Sequence, residues 1–403
     1  MKILHTSDLH LGKKLVKASR LDEQCAVIKE IAEIADRECV DVILIAGDMF
    51  DSSVPPSEAE RVFYRALLTL AERGRTVIAL AGNHDDERRM CAAKPLADLQ
   101  GIVLAGELDY TGMSAPSLAD PVPPPSLLAV AAAADYLQKQ RARVIGMNGG
   151  VRVEKDGEHV NIALVPYPSE ARLKRWCEQD YSVAYADRVK LALENACAFF
   201  DGDGYNILCT HLFLTKSENA DQLGGLVALP ASVLPACADY VALGHVHKRY
   251  VASKTPYAVY CGAPLQYAYD ETRDKSVTVI DTATRKVSVE PLNSGKKLTE
   301  VHADTYDDCL NKLDFYKNDY VRLLYGGDPL GREEYATLRA HPAFNDLVVT
   351  AGFRGEVKTE RRAHLSDGEI FDMFYKSRRK TAPSADTKAA FIELIEEIEH
   401  AAD

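Results

Sequence analysis

Five apolar runs in this chain each end at residues that bind metal ions, and this pattern limits the possible folds more than any other feature. The central run is Asp41-Val42-Ile43-Leu44-Ile45-Ala46-Gly47-Asp48. Its apolar and small residues, flanked by turn chemistry, read as a strand of a sheet covered on both faces. Gly47 permits a tight turn, and Asp48 emerges at the carboxyl edge, where ligand sites of α/β folds lie. Ile3-Leu4 leads in the same way to Asp8 and His10, and Val77-Ile78-Ala79-Leu80-Ala81 leads to Gly82-Asn83-His84. Ile207-Leu208-Cys209-Thr210 ends at His211, and Tyr240-Val241-Ala242-Leu243 ends at Gly244-His245-Val246-His247. Packing alone does not explain five strands that deliver such side chains to one edge. A carboxylate such as Asp48 has two oxygens and can bridge two cations.

The segments between these runs set the fold class. A helix over 20–38 carries Leu21, Cys25, Ile28, Ile31 and Ile34 at helical spacing. Another, over about 57–73, starts after Pro55-Pro56 and carries the stripe Ala59, Val62, Phe63, Ala66, Leu67 and Leu70. A short helix is expected over 88–99 and a strand over 101–104. This alternation predicts βαβ units and a largely parallel first sheet. Residues 107–150 break the pattern with Asp120-Pro121-Val122-Pro123-Pro124-Pro125 and an alanine-rich stretch, read as a surface excursion. From about 143, strands dominate: 143–153, 159–165, 205–210, 239–243, 249–253, 256–260, 276–281 and 285–291. Helices at 170–176 and 183–200 interrupt them. Two facing sheets with helices outside account for this count.

Near Asn293-Ser294-Gly295-Lys296-Lys297 the composition shifts. A smaller α/β unit follows, with strands near 298–303, 319–325 and 346–351 and helices near 305–316 and 332–340. A helix at about 366–376 leads into the basic linker Ser377-Arg378-Arg379-Lys380-Thr381-Ala382-Pro383. The tail places Phe391, Leu394, Ile395 and Ile398 on one helical face. The domains read as 1–293, 294–376 and 377–403.

Composition excludes several classes. The 403 residues hold nine scattered cysteines and no Cys-x-x-Cys, which argues against a disulfide framework or zinc ribbon and for a reducing cytoplasm. Met1 to Thr6 reaches Asp8 before any signal-peptide core, and the apolar stretch Leu127 to Ala134 is too short to cross a bilayer. A net charge of −12 speaks against a non-specific nucleic-acid coat. It leaves a nuclease open, because salt confines charge effects to about 8 Å and bound cations govern phosphate attraction locally.

With its motifs in this order, the chain resembles the calcineurin-like metallophosphoesterase superfamily, and within it the bacterial SbcD nuclease family. The likeness rests on Lys2-Ile3-Leu4-His5-Thr6-Ser7-Asp8-Leu9-His10-Leu11-Gly12, Gly47-Asp48-Met49-Phe50-Asp51, Gly82-Asn83-His84-Asp85 and Gly244-His245-Val246-His247. Pro55-Pro56-Ser57, Leu164-Val165-Pro166-Tyr167-Pro168 and Leu365 to Tyr375 add to it. It covers nearly the whole chain and is weakest over 107–150. Gly262-Ala263-Pro264 departs from it, since the family has Ser between Gly and Pro.

The resemblance implies a four-layer α-β-β-α metallophosphoesterase sandwich, a smaller α/β capping and DNA-binding domain over 294–376, and a C-terminal helical tail that docks on the ATPase. It implies that Asp8, His10, Asp48 and His247 hold one divalent ion and that Asp48, Asn83, His211 and His245 hold a second, with Asp48 bridging. His84 would stabilise charge or protonate the leaving oxygen. Mixed carboxylate, imidazole and carboxamide ligands suit manganese foremost, then iron, zinc or magnesium, rather than calcium. The implied function is a DNA nuclease subunit, acting as a 3′-to-5′ exonuclease on duplex ends and an endonuclease on hairpin or single-stranded DNA. Its partners would be DNA, an SbcC-type SMC-like ATPase in a heterotetramer, and a second copy of the chain through the first domain. The other readings are a small-molecule phosphatase or cyclic-nucleotide phosphodiesterase with the same site, and an inactive scaffold. Asp51 reads as a support or turn former, and Arg361-Arg362 and Arg378-Arg379-Lys380 as a solvated basic face. His5, His159, His302, His341, His364 and His400 have no companions of this kind.

Overall fold

The computed structural model describes residues 1–16, 18–106, 142–176, 184–215, 221–223, 226–350, 371, 375–376, 382–384 and 387–388. Residues 107–141 of the excursion expected over 107–150, most of the helix expected over about 366–376, most of the linker and the tail helix lie outside the described residues. The chain divides into two compact units, Met1–Val348 and Val349–Asp403. No helix among the described residues is long and apolar enough to cross a membrane.

Two sheets face each other in the first unit. One has six strands in the order Lys286–Leu292, Lys275–Asp281, Lys2–Thr6, Val42–Ala46, Thr76–Leu80 and Ile102–Ala105. The last four are mutually parallel, and the two late strands add antiparallel on the far side of Lys2–Thr6. The seven-stranded second sheet runs Tyr250–Lys254, Tyr257–Tyr260, Tyr240–Gly244, Tyr205–His211, Glu158–Val165, Gly150–Lys155 and Arg143–Met147. Ile3, Val42, Leu44, Ile78 and Leu80 from the first sheet meet Val153, Ile162, Ile207, Tyr240 and Ala242 from the second in one core. Each fully buried Val, Leu or Ile contributes about 1.5–3 kcal/mol. The sheet faces therefore hold the sandwich together and leave the strand ends free to carry polar groups. Helices Leu21–Arg37 and Ser57–Leu70 cover the outer face of the first sheet, and Tyr185–Ala196 covers that of the second. The expected α-β-β-α layering follows.

Local chemistry explains where the elements depart from the sequence pattern. The expected strand over 143–153 is a hairpin, Arg143–Met147 with Gly150–Lys155. Its two-residue turn is Asn148-Gly149, and only Gly149, at φ 83°, takes the positive φ that the second central residue of a type II turn requires. The expected helix over 88–99 is two short ones, Glu87–Cys91 and Lys94–Asp98. Pro95 has no N–H to donate backwards, so it starts a new helix rather than continuing one. In Leu21–Arg37 the buried face runs through Gln24, Val27, Ile28, Ile31 and Ile34, and Cys25 is exposed. The strands Lys14–Leu15, Ala18–Ser19, Leu214–Thr215 and Asp221–Leu223 carry no apolar run long enough to announce them, and Leu226–Pro230 is a further strand not expected from the sequence pattern.

Residues Leu298–Ala303, Tyr320–Tyr325 and Phe344–Val349 form a separate three-stranded sheet with helices Tyr306–Phe315 and Arg332–Ala340. Its own core holds Cys309, Leu313, Val321, Leu323 and Leu338.

His5 lies fully buried between the sheets, with Nδ1 3.0 Å from the Tyr240 hydroxyl. Burial holds its ring neutral, down to a pKa of about 3 from an ordinary 6.5. The unfolded chain takes up that proton near pH 6.5 and the folded chain only near pH 3. The contribution is thus fully present above pH 6.5 and is lost as the pH falls toward 3. Urea titrations of wild type and His5→Gln should give a difference in unfolding free energy that shrinks below pH 6.5, by up to about 1.4 kcal/mol per pH unit. A difference that stays constant from pH 7.5 to 5 would contradict this account of His5.

Candidate metal centre

The carboxyl ends of the central strands of both sheets meet at one point. The loops after Lys2–Thr6 and Val42–Ala46 are zipped together by backbone hydrogen bonds: Asp8 N to Gly47 O at 2.9 Å, His10 N to Asp48 O at 3.0 Å, and Leu11 N to Met49 O at 2.8 Å. Asp8, His10 and Asp48 take left-handed backbone conformations at φ 55°, 43° and 54°. Such conformations cost on the order of 1–3 kcal/mol each in non-glycine residues and persist where the surroundings enforce them. Backbones approach so closely here, between the sheets at Gly244 and within the first sheet at Gly82, that side chains must be absent. A Cβ on Gly244 would lie 1.7 Å from Ala46 O, and one on Gly82 would lie 2.0 Å from Asp48 Oδ1.

The centre has two halves that share Asp48. In one, His10 Nε2 lies 3.6 Å from Asp48 Oδ2 and 3.0 Å from His247 Nε2. Asp8, His10 and His247 offer ligand atoms within 4.8 Å of one another. In the other, His211 Nε2 lies 3.5 Å from Asp48 Oδ2 and 3.0 Å from Asn83 Oδ1. His245 Nδ1 lies 2.9 Å from the same Asn83 oxygen. Asp8, Asp48 and His211 form a further group within 4.8 Å, as do His10, Asp48 and His84. All eight residues singled out in the sequence thus stand in one place. His5 lies in the core, and His159 pairs with Asp201 at the far end of its strand.

Hydrogen bonds decide which ring nitrogens are free. His211 Nδ1 donates to Ala46 O at 2.8 Å and His84 Nδ1 to Asp51 O at 2.9 Å, because a carbonyl can only accept. The Nε2 atoms of both rings are therefore the ones left for the centre. The backbone N–H groups of His84 and His245 donate to Asp48 at 2.9 Å and Asp8 at 3.1 Å. Asp48 is 2% exposed. Burial raises its pKa, but the His211 and His10 rings and the His84 N–H outweigh that and hold it well below the usual carboxylate range. His211 is lowered by burial and raised more by Asp48, so its net shift is upward. His245 goes down to about 3 through burial and the neighbouring His211 ring. A neutral His245, the imidazoles of His10, His211 and His247, a carboxamide oxygen and two buried carboxylates together form a donor set suited to divalent cations.

Of the residues that brace this centre, Asp85 and Asp51 stand in the motifs quoted above, and Arg172, Gln24 and Tyr267 stand in none. Asp85 accepts from Gly82 N at 2.9 Å, Met49 N at 3.0 Å and Phe50 N at 2.9 Å, locking two ligand loops together. Its own pKa is raised, by burial and then by Asp48. Arg172 donates to Gly82 O, Tyr167 O and Asp85 O at 3.1, 3.0 and 2.9 Å. Gln24 donates to His10 O at 2.7 Å, and the Tyr267 hydroxyl donates to Leu9 O. Asp51 supports the centre as expected: its carbonyl holds His84 and its carboxylate pairs with Lys13 at 2.6 Å. At Ala263 the backbone N–H donates to His247 O at 3.2 Å, a role that needs no hydroxyl.

Residues 1–249 match the family described as calcineurin-like phosphoesterase. The chain is 32% identical over 424 residues to the D subunit of nuclease SbcCD from Bacillus subtilis (strain 168), covering 99% of each. It is 30% identical over 302 residues to the protein of the same name from Escherichia coli (strain K12), covering 73% of this chain and 68% of that one. A solved dimetal phosphatase from Danio rerio is a distant likeness, at 12% identity and a TM-score of 0.36 over 69% of this chain and 91% of that one.

Asp85→Ala would leave three buried N–H groups without an acceptor and should lower the unfolding free energy by about 2–5 kcal/mol. Denaturant titration of the metal-free chain measures this; a loss below about 1 kcal/mol would mean that the ligand loops hold without Asp85.

Proposed function

From the premise that this chain belongs to the calcineurin-like phosphoesterase family, and within it to the SbcD nucleases, we propose that it cleaves DNA phosphodiesters with two divalent cations as the nuclease subunit of an ATPase complex. The observation that carries this is the convergence of donor side chains around Asp48 from the ends of both sheets, with His84 beside them. Asp8, His10, Asp48 and His247 would hold one cation, and Asp48, Asn83, His211 and His245 the other, with manganese the best match to the donors. When bound, such cations supply Lewis acidity toward the phosphate and lower the pKa of a water.

The chain's own residues supply the rest. The Asp48 carboxylate links the two halves and stays ionised. His84 has Nδ1 committed to Asp51 O, so its Nε2 is the atom available to a substrate oxygen. There it stabilises developing charge or delivers a proton to the leaving oxygen. His10, Asp48 and His84 offer atoms within 4.8 Å of one another, which puts that proton next to the centre without making His84 a required ligand.

Exonuclease action on duplex ends and endonuclease action on hairpin or single-stranded DNA, the capping role of 294–376, homodimerisation through the first domain and cytoplasmic residence belong to the same reading. So does an SbcC-type partner held by the segment after 377. The competing reading is a small-molecule phosphatase or cyclic-nucleotide phosphodiesterase. The direct comparison is cleavage of labelled hairpin and duplex DNA against nucleotide monophosphates and cyclic nucleotides, with Mn²⁺ present. Preference for the small substrates would overturn the nuclease proposal.

Asp48→Ala should lose bound metal and cleavage together. His84→Ala should keep its metal, as measured by elemental analysis, and lose about 10²–10⁴ of the cleavage rate. Near-normal cleavage by His84→Ala would remove its chemical role. A chain ending at Lys376 should keep Mn²⁺-dependent cleavage of single-stranded DNA and fail to co-purify with the ATPase. Undiminished co-purification would place the docking site elsewhere.

A further inference from the structure

In two imidazoles of the centre, His211 and His84, Nδ1 is committed to a backbone carbonyl near a strand end. His247 differs: its Nδ1 lies 2.8 Å from Oε1 of Glu271, a residue on a loop that delivers no strand-end ligand.

Every oxygen of Glu271 is engaged. Oε2 accepts from Lys275 Nζ at 2.7 Å and from Tyr267 N at 3.2 Å, and the backbone oxygen accepts from Gln266 Nε2 at 3.0 Å. Lys275 is 7% exposed and also donates to His247 O at 3.2 Å. With that ammonium fixed beside it, the carboxylate is charged and can only accept, so His247 Nδ1 carries the hydrogen.

The loop is held at both of its sides. Arg20 donates to Gln266 O at 2.9 Å, and Leu298 N donates to Gln266 Oε1 at 3.0 Å. The Tyr269 hydroxyl accepts from Asn345 at 2.7 Å, and its ring lies 4.1 Å from the Arg322 guanidinium. Glu271 is therefore fastened to the three-stranded unit as well as to the centre.

We propose that Glu271 is a positioning residue for the metal centre: its carboxylate keeps His247 in the Nδ1–H form and turns the Nε2 lone pair toward the point shared with His10 and Asp8. A carboxylate behind an imidazole also raises the basicity of the far nitrogen, and removing such a partner weakens metal affinity about 10–100-fold. The inference rests on the two-cation reading above and concerns the His10–His247 half only.

Two measurements on the full chain test it. Nitrogen-15 spectra of the metal-free wild type, taken at a pH high enough that the His247 ring is neutral, should show it protonated at Nδ1 and bare at Nε2, and Glu271→Gln should populate the other tautomer. Calorimetric titration with Mn²⁺ should give two binding steps in the wild type, with one weakened about 10–100-fold and the other unchanged in Glu271→Gln. A neutral wild-type His247 protonated at Nε2 rather than Nδ1, or a variant that binds both ions as tightly as wild type, would overturn the proposal. The tautomer is read without metal and without any variant, so it stands if Glu271→Gln does not fold. A wild type that takes up no Mn²⁺ would instead overturn the two-cation reading.

Discussion

A carboxylate taken out of water must find compensating charge or donors, and the first unit is arranged around that demand at Asp48. Loss of hydration at this position disfavours the ionised form. The His211 and His10 rings and the His84 N–H reverse the balance. These groups come from three strand ends and from both sheets, so the carboxylate stays charged only when the sheets are stacked in register. The left-handed turns at Asp8, His10 and Asp48 and the bare Gly82 let the loops of the first sheet crowd around the carboxylate, and the bare Gly244 lets the second sheet come up against Ala46.

The division of labour between sheet faces and sheet edges follows from the energetics. The faces bury Val, Leu and Ile from both sides and supply the stability. The parallel strands deliver their carboxyl ends to one side, where backbone groups can no longer pair along the ladder and turn residues take over. Strain and buried charge gather at that edge because the faces can sustain them. Asp85 and Arg172 then knit the loops by accepting from or donating to backbone groups that the turns leave unpaired.

Much of this was legible in the residues. An apolar run followed by Gly and then Asp, Asn or His is a local signal, because strand, turn and ligand lie within a few positions of one another. That is why Asp8, His10, Asp48, Asn83, His84, His211, His245 and His247 could be singled out together. The sandwich was legible for a related reason, since each run is long enough to require cover on both faces. Glu271, Tyr267 and Arg172 were not legible. Each is a single polar residue in a loop or short helix, and its partner lies 24 to 258 positions away or on backbone atoms that no side-chain pattern encodes. The hairpin at Asn148-Gly149 was a different kind of omission: the turn signature was present, but the apolar residues on either side ran together as one strand.

The order of the ligands along the chain has a consequence for how the protein comes into being. The first of them is residue 8, the last is 247, and the brace on that last ring is 271. Lys2–Thr6 pairs with Val42–Ala46 on one side and receives its second partner only with Lys275–Asp281. During synthesis the amino-terminal strands leave the ribosome long before the residues that complete their sheet and their centre. A nascent chain can therefore present Asp8, His10, Asp48 and Asn83 while the imidazoles of the second sheet are still unmade. Domains fold as units once their sequence is available, and contacts this distant in sequence form late. The set of side chains proposed to hold the cations is therefore complete only once residue 247 has been made, and no shorter nascent chain carries all of it.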